Sequence, residues 1–153
     1  MSKKLLALGN VLMGDDAVAI HLAMALQEEL GQMGIEVIYG ETDIGYCITS
    51  IQEEDFIIFV DAADFGGVAG EISVMSISEI SNTDKFVTGH SINFLHLIKL
   101  YKPKLQGVIL AVQIADINFR YGLSEELQNR FSECACGIME HVNMVNAKNV
   151  NKN

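Results

Sequence analysis

The feature that most constrains this chain is an unbroken apolar run, Phe56 to Val60, which ends at Asp61. A segment that is apolar on both faces is typical of a central strand in a parallel sheet that helices cover on both sides. Burial of a carboxylate directly after such a strand carries a desolvation penalty unless a charged or hydrogen-bond-donating group contacts it. Because perturbed acids often mark sites, Asp61 is the first candidate functional residue.

Predicted strands and helices alternate on both sides of this run. The hydrophobic pattern predicts strands at residues 4–8, 35–39, 56–60, 71–77 and 106–114, and helices at 18–30, 46–52, 91–101 and 123–145. This order predicts an α/β three-layer sandwich, in which helices cover both faces of a mostly parallel, twisted five-stranded sheet. The connection before residue 71 is Gly-rich and too short for a parallel crossover, so the fourth strand can pair antiparallel at an edge.

Length and composition fit one domain. The chain has 153 residues, half of them hydrophobic, and a mean hydropathy of +0.27, which is enough apolar surface for a full core. We expect a single α/β domain over residues 1–145 and a polar, frayed tail over 146–153. Apolar stretches fall far short of the roughly 18 residues that a membrane span needs. The basic-then-apolar start is interpreted as a first strand, not as a signal peptide.

Charge and cysteine content narrow the classes of partner and location. Ten Lys and Arg against twenty Asp and Glu give a formal charge of −10, which repels phosphate backbones and disfavours a nucleic-acid partner. Three cysteines are too few for a disulfide scaffold and indicate a reducing cytoplasm. Cys134 and Cys136 are expected to be packed or surface residues, and Cys47 would need a neighbouring base to act as a nucleophile.

Polar residues beyond the carboxyl ends of the strands are the next candidates, because ligands collect there in open parallel sheets. One of the adjacent acids Asp15 and Asp16 is expected to cap a helix, which leaves Asp16 as a plausible ligand. Asp64 is expected to be a turn residue. Such residues occur in three predicted loops, 9–16, 61–64 and 88–91.

His90 completes a candidate set of ligands. It lies between Gly89 and Ser91 in a predicted loop that enters a helix, where an imidazole is free to act as a ligand or a base. Together, Asp16, Asp61 and His90 offer two carboxylates and one imidazole, which suit a divalent transition ion with open positions. Such a set leaves room for water or for groups from a partner, so an ion carried by the substrate is as admissible as a resident one.

These segments resemble the hydrogenase maturation proteases. The stretch from Leu8 to Asp16 is similar to the family's Gly-Asn-x-x-x-x-Asp-Asp/Glu signature, and 60–64, Val-Asp-Ala-Ala-Asp, is similar to its Val-Asp-Ala-x-Asp segment. Thr88-Gly89-His90-Ser91 resembles the loop that carries the family's histidine. Similarity at 70–72 and 108–113 extends the resemblance over nearly the whole chain, and residues 119 and 121 are similar to members that serve formate-hydrogenlyase-type hydrogenases.

The resemblance implies a function for the candidate residues. The family members are endopeptidases that remove the C-terminal extension of a nickel-iron hydrogenase large-subunit precursor after nickel insertion. Asp16, Asp61 and His90 would be the catalytic, metal-contacting set that recognises nickel supplied by the substrate. A resident metal, and an aspartic-type or a metal-dependent mechanism, stay open. Either a metal-bound water or a carboxylate base fits the chemistry, and Asp16 is the preferred base.

Departures from the family pattern bear on the substrate more than on the chemistry. Ala7 and Ala17 stand where glycines are usual, and both are small-for-small changes. Ile114 stands where a proline is expected, in a loop expected to shape the substrate groove, so it affects substrate identity.

Two other classes of protein share part of this pattern. A receiver-like signalling module also has an acid pair after its first strand and an acceptor Asp after its third, but this chain lacks a Lys after the last strand. An independent zinc aminopeptidase would hold its metal tightly, which three weak ligands disfavour.

Overall fold

The computed structural model describes residues 1–80 and 89–150, apart from the side chains of 89–93 and 149–150. In chain order, the described elements are β1 (Lys3–Leu8), α1 (Val18–Gln32), β2 (Ile35–Glu41), α2 (Ile44–Ser50), β3 (Phe56–Ala63), β4 (Ile72–Ser76), α3 (Gly89–Tyr101), β5 (Gln106–Gln113), α4 (Glu125–Asn129) and α5 (Phe131–Val150). Short 3₁₀ turns cover Gly14–Ala17 and Ile77–Glu79.

The described strands form one sheet in the order β2-β1-β3-β5-β4. β1 pairs in parallel with β2 and β3, β3 pairs in parallel with β5, and β4 pairs antiparallel with β5 at the edge. The predicted α/β class, the mostly parallel five-stranded sheet and its antiparallel edge strand are therefore confirmed.

β3 is the central strand, and every one of its residues is buried. Side chains alternate across a strand, so β3 contributes to two cores. Ile58 and Val60 pack on the side of α1 and α5, whereas Ile57 and Phe59 pack on the side of α2 and α3. By the same alternation, Asp61 belongs to the α2 and α3 side of the sheet.

The C-terminal end of the central strand and the course of the final helix differ most from the prediction. β3 does not end before Asp61 but continues through Ala63, because residues 61–63 pair with residues 111–113 of β5. The predicted final helix is divided at Arg130, whose amide bonds to the carbonyl of Leu127 over one tight turn. After this break α5 continues to Val150, into the segment that was expected to fray, and residues 151–153 lie outside the described part.

Asp15 ties the C-terminal half of the domain to the loop after β1. Its side chain is fully buried and accepts hydrogen bonds from the Ser124 amide (2.6 Å) and hydroxyl (2.7 Å). It also accepts from the amides of Ala115 (2.9 Å) and Asp116 (3.2 Å). Burial alone raises the pKa of Asp15, but these bonds outweigh it and hold the pKa below its usual value. The expected cap is wrong, since neither the 3₁₀ turn nor α1 receives a side-chain cap bond.

Candidate active site

A cavity of about 440 Å³ opens at the carboxyl end of the central strands, and it brings Asp16 and Asp61 to one place. Part of its wall is apolar, formed by Met13, Ile44, Cys47, Phe94 and Ile117. This is the edge of the sheet at which ligands are expected in an open α/β fold.

The Gly9-Asn10 corner fixes the position of Asp16. Gly9 has φ 137°, and a Cβ there would lie 2.0 Å from the Asp16 carbonyl oxygen, so a side chain does not fit. The Asn10 amide donates to Asp16 Oδ2 over 2.8 Å, and Asn10 Oδ1 accepts from the Leu12 amide over 2.9 Å. The loop after β1 therefore holds one oxygen of Asp16 at the cavity.

Asp61 is buried with an incomplete set of hydrogen bonds. The residue is 4% exposed, its Oδ1 accepts from the Ala62 amide over 2.8 Å, and its Oδ2 meets no partner among the described residues. Burial, and secondarily the charge of Asp16, raises the pKa of Asp61 to about 8, while the bond from Ala62 offsets only part of this. Asp61 is therefore protonated at neutral pH when nothing is bound.

Other buried aspartates in the described part of the chain are satisfied. Asp55 contacts Lys4 Nζ at 3.0 Å, the Gln52 amide at 2.8 Å and the Ser2 hydroxyl. Burial raises the pKa of Asp55, but these partners outweigh it and the pKa is lowered, as for Asp15. The contrast shows that this fold can supply hydrogen-bond donors or a cation to a buried carboxylate. A cation at Asp61 Oδ2 would supply the missing partner, so the residues present fit a bound metal ion.

The raised pKa of Asp61 has a defined effect on stability. Between the ordinary pKa of Asp, about 4, and its folded value of about 8, the folded chain holds a proton that the unfolded chain has released. The contribution of Asp61 thus favours the fold most at acidic pH and is lost as the pH rises through about 8.

His90 is the second residue of α3, in its first turn, and not in a loop as the sequence predicted. Its side chain lies outside the described part of the chain. Phe94, one helical turn later, lines the cavity, so the backbone of α3 begins near this site. The described side chains contain no group of three His, Cys, Asp or Glu that could hold a metal.

Two of the three cysteines are packed thiols. Cys47 is fully buried in the cavity wall, where burial and the nearby charge of Asp43 raise its pKa to about 12. Burial raises the pKa of Cys134 to about 11, and Cys136 is exposed. Since a thiol held neutral is a poor nucleophile, Cys47 is a poor candidate for that role. The expectation of packed or surface residues is confirmed for Cys134, which is buried, and Cys136, which is exposed.

Gln113 is a positioning residue that the sequence did not reveal. Its side-chain oxygen accepts from the amides of Phe65 (2.8 Å) and Gly67 (3.1 Å), and its nitrogen donates to Asp64 Oδ1 (3.0 Å) and the Ile114 carbonyl (2.8 Å). It thereby holds the loop after β3. The available signal in the sequence was a side-chain amide, Gln113, directly after an apolar run in β5. Asp64 also accepts from the Gly66 amide, as expected of a turn residue.

Comparison with known proteins identifies similar sequences and folds. A family model described as hydrogenase maturation protease matches residues 20–141. A Methanocaldococcus jannaschii protein, provisionally named a hydrogenase maturation protease, is 28% identical over 126 residues, covering 78% of this chain and 82% of the relative.

Two solved structures show the same fold. The hydrogenase maturating endopeptidase HybD from E. coli has a TM-score of 0.76 and 16% identity, covering 95% of this chain and 94% of that one. The NiFe hydrogenase maturation protease HybD from Thermococcus kodakarensis has a TM-score of 0.73 and 24% identity, covering 93% and 99%.

Proposed function

This chain belongs to the hydrogenase maturation protease family, and from that premise we propose that it removes the C-terminal extension of a nickel-iron hydrogenase large-subunit precursor after nickel insertion. The substrate supplies the nickel, which serves as the recognition element. The reaction takes place in the cytoplasm, in keeping with the free thiols of this chain. No described helix is long and apolar enough to cross a membrane.

The observation that carries the proposal is that Oδ2 of Asp61, in the same cavity as Asp16, is buried and meets no partner among the described residues. Hard carboxylate oxygens suit a divalent ion, and His90 would add an imidazole from the start of α3. A set of this size leaves coordination positions for the ligands that the precursor already provides. The cavity is therefore suited to a nickel ion that arrives with its own ligands.

Nickel recognition and deprotonation are coupled at Asp61. Because a metal ligand must be deprotonated, Asp61 would release its proton to solvent on holding the nickel of the substrate. The cation also offsets the repulsion between Asp61 and Asp16. A precursor without nickel offers neither effect and leaves the carboxyl group of Asp61 protonated.

Asp16 is the candidate general base. Oδ1 of Asp61 already accepts from the Ala62 amide and Oδ2 would face the ion, so Asp61 is a poor acceptor for a proton from water. Asp16 lies at the same cavity and is held by the Asn10 amide. With nickel fixing the precursor across the strand ends, most of the rate acceleration comes from the positioning of the scissile bond near this carboxylate.

The alternatives drawn from the sequence have less support. A receiver-like module is at odds with family membership, and no observation on the described residues favours an independent zinc aminopeptidase.

The test is incubation of the protein with its host's large-subunit precursor, with and without nickel. We expect the mass of the nickel-loaded precursor to fall by the mass of its extension, and the nickel-free precursor to stay intact over the same time. A precursor that already lacks the extension is the control and should keep its mass. Equal trimming with and without nickel would contradict nickel recognition.

A further inference from the structure

Large apolar side chains stand exposed on two loops, each of which contributes a residue to the cavity wall. Leu12, Ile117, Phe119 and Tyr121 have exposed fractions of 49%, 45%, 82% and 80%. We name this group the apolar rim. Ile117 also lines the cavity, as does Met13, the neighbour of Leu12. One member of the apolar rim therefore lies in the wall of the proposed active site, and a second is adjacent in sequence to another wall residue.

The two loops that carry the apolar rim are joined by hydrogen bonds. The Gly14 amide donates to the Arg120 carbonyl over 2.9 Å, and the Arg120 amide donates to the Leu12 carbonyl over 3.0 Å. Asp15 accepts from the amides of residues 115 and 116 at the start of the second loop. These bonds hold the two loops together, so the loops that carry the apolar rim are fixed relative to each other.

The apolar rim carries no net charge in a strongly acidic protein. Arg120 pairs with Asp116 over 3.2 Å, so the charges within its second loop cancel, whereas the chain as a whole has a formal charge of −10. Adjacent exposed aromatic side chains on a soluble domain indicate an interaction surface. Attraction at such a surface depends on burial of apolar area more than on charge.

The size of the cavity indicates what the apolar rim contacts. A cavity of about 440 Å³ has the volume of a small-molecule site. It can accept the nickel-bearing segment of a precursor, but the folded domain that carries this segment must remain outside. That domain then rests on the mouth of the cavity, where the apolar rim is exposed.

We propose that the apolar rim docks the folded body of the nickel-loaded large-subunit precursor, through an uncharged, apolar surface next to its nickel. This inference rests on the proposed function and adds the surface that selects the partner. In this proposal the cavity binds the metal-bearing segment, and the apolar rim contacts the protein surface around it. A second copy of this chain bound to the apolar rim would instead cover the cavity.

The test compares two double variants in their affinity for the nickel-loaded precursor. Phe119→Ser with Tyr121→Ser removes the two most exposed aromatic side chains of the apolar rim. Leu100→Ser with Tyr101→Ser is the matched control, since these residues are 74% and 63% exposed at the far end of α3. We expect the rim variant to bind at least about tenfold more weakly, and the control to bind like the wild type.

Three readouts separate the possible outcomes. The loss of affinity should be the same in low and high salt, because the apolar rim is uncharged. Unchanged affinity of the rim variant, or a dimer of the wild type that the rim substitutions dissolve in sedimentation, would overturn the docking proposal. Tail release by the wild type is scored separately, so failure to cleave would count against the proposed function even where binding still depends on the rim.

Discussion

Asp16→Asn should abolish tail removal while the protein stays folded. The amide keeps an oxygen that can accept from the Asn10 amide, now at 2.8 Å from Asp16 Oδ2, so the corner after β1 persists. The substitution removes the candidate base, which is also a proposed nickel ligand, and loss of general-base catalysis alone costs at least about 100-fold in rate. The measurement is the rate of tail release from the nickel-loaded precursor, with circular dichroism as the check on folding.

The same variant should also change the titration of Asp61. The charge of Asp16 is the second cause of the raised pKa of Asp61, so its removal should lower that pKa while burial still holds it above the ordinary value. Carboxyl ¹³C NMR reports this shift directly. Glu28→Gln removes one charge at an exposed position of α1 and is the matched control. Undiminished processing by Asp16→Asn would rule out the proposed role of Asp16.

Asp15→Ala should destabilise the protein strongly, in contrast to Asp16→Ala next to it. Removing the buried carboxylate leaves the Ser124 amide and hydroxyl and the amides of Ala115 and Asp116 without their acceptor. A buried donor left without its acceptor costs about 1 to 3 kcal/mol in free energy of unfolding, and four donors lose theirs here. Asp16→Ala gives up a single amide bond and should cost about 1 kcal/mol. Urea unfolding of both variants measures the difference.

The pH dependence provides a second check on Asp15. Its pKa is lowered in the folded state, so its contribution to stability is present above the pKa of the unfolded chain, about 4, and is lost as the pH falls through the lower folded value. The gap between the wild type and Asp15→Ala should therefore narrow in acid. Equal stability of the Asp15 and Asp16 variants at neutral pH would contradict the assigned structural role.

The central strand and the order of the elements could be predicted because they depend on local patterns. The run from Phe56 to Val60 is apolar on both faces, and the observed β3 is buried throughout. Its environment also made Asp61 a candidate site residue, and the lack of a partner for Oδ2 among the described side chains agrees with that reasoning. Helix ends were less predictable. Helical periodicity continues across Arg130, and only the backbone turn there ends α4.

Long-range contacts could not be predicted from the sequence. Asp15 resembled a helix cap, but its partners lie 100 to 109 residues away along the chain. The pairing of residue 13 with residue 120, which supports the apolar rim, is equally non-local. Such contacts exist only after the sheet has brought the loop after β1 and the loop after β5 together.

Convergence of Asp16, Asp61 and His90 on one nickel ion is the central claim, and anomalous diffraction at the nickel edge tests it most directly. Crystals of the protein soaked in Ni²⁺ should show a peak about 2 Å from both carboxylates and from the His90 imidazole, the distance usual for such ligands of a divalent ion. The account is contradicted if no peak lies between the two acids, or if the imidazole of His90 faces away from them.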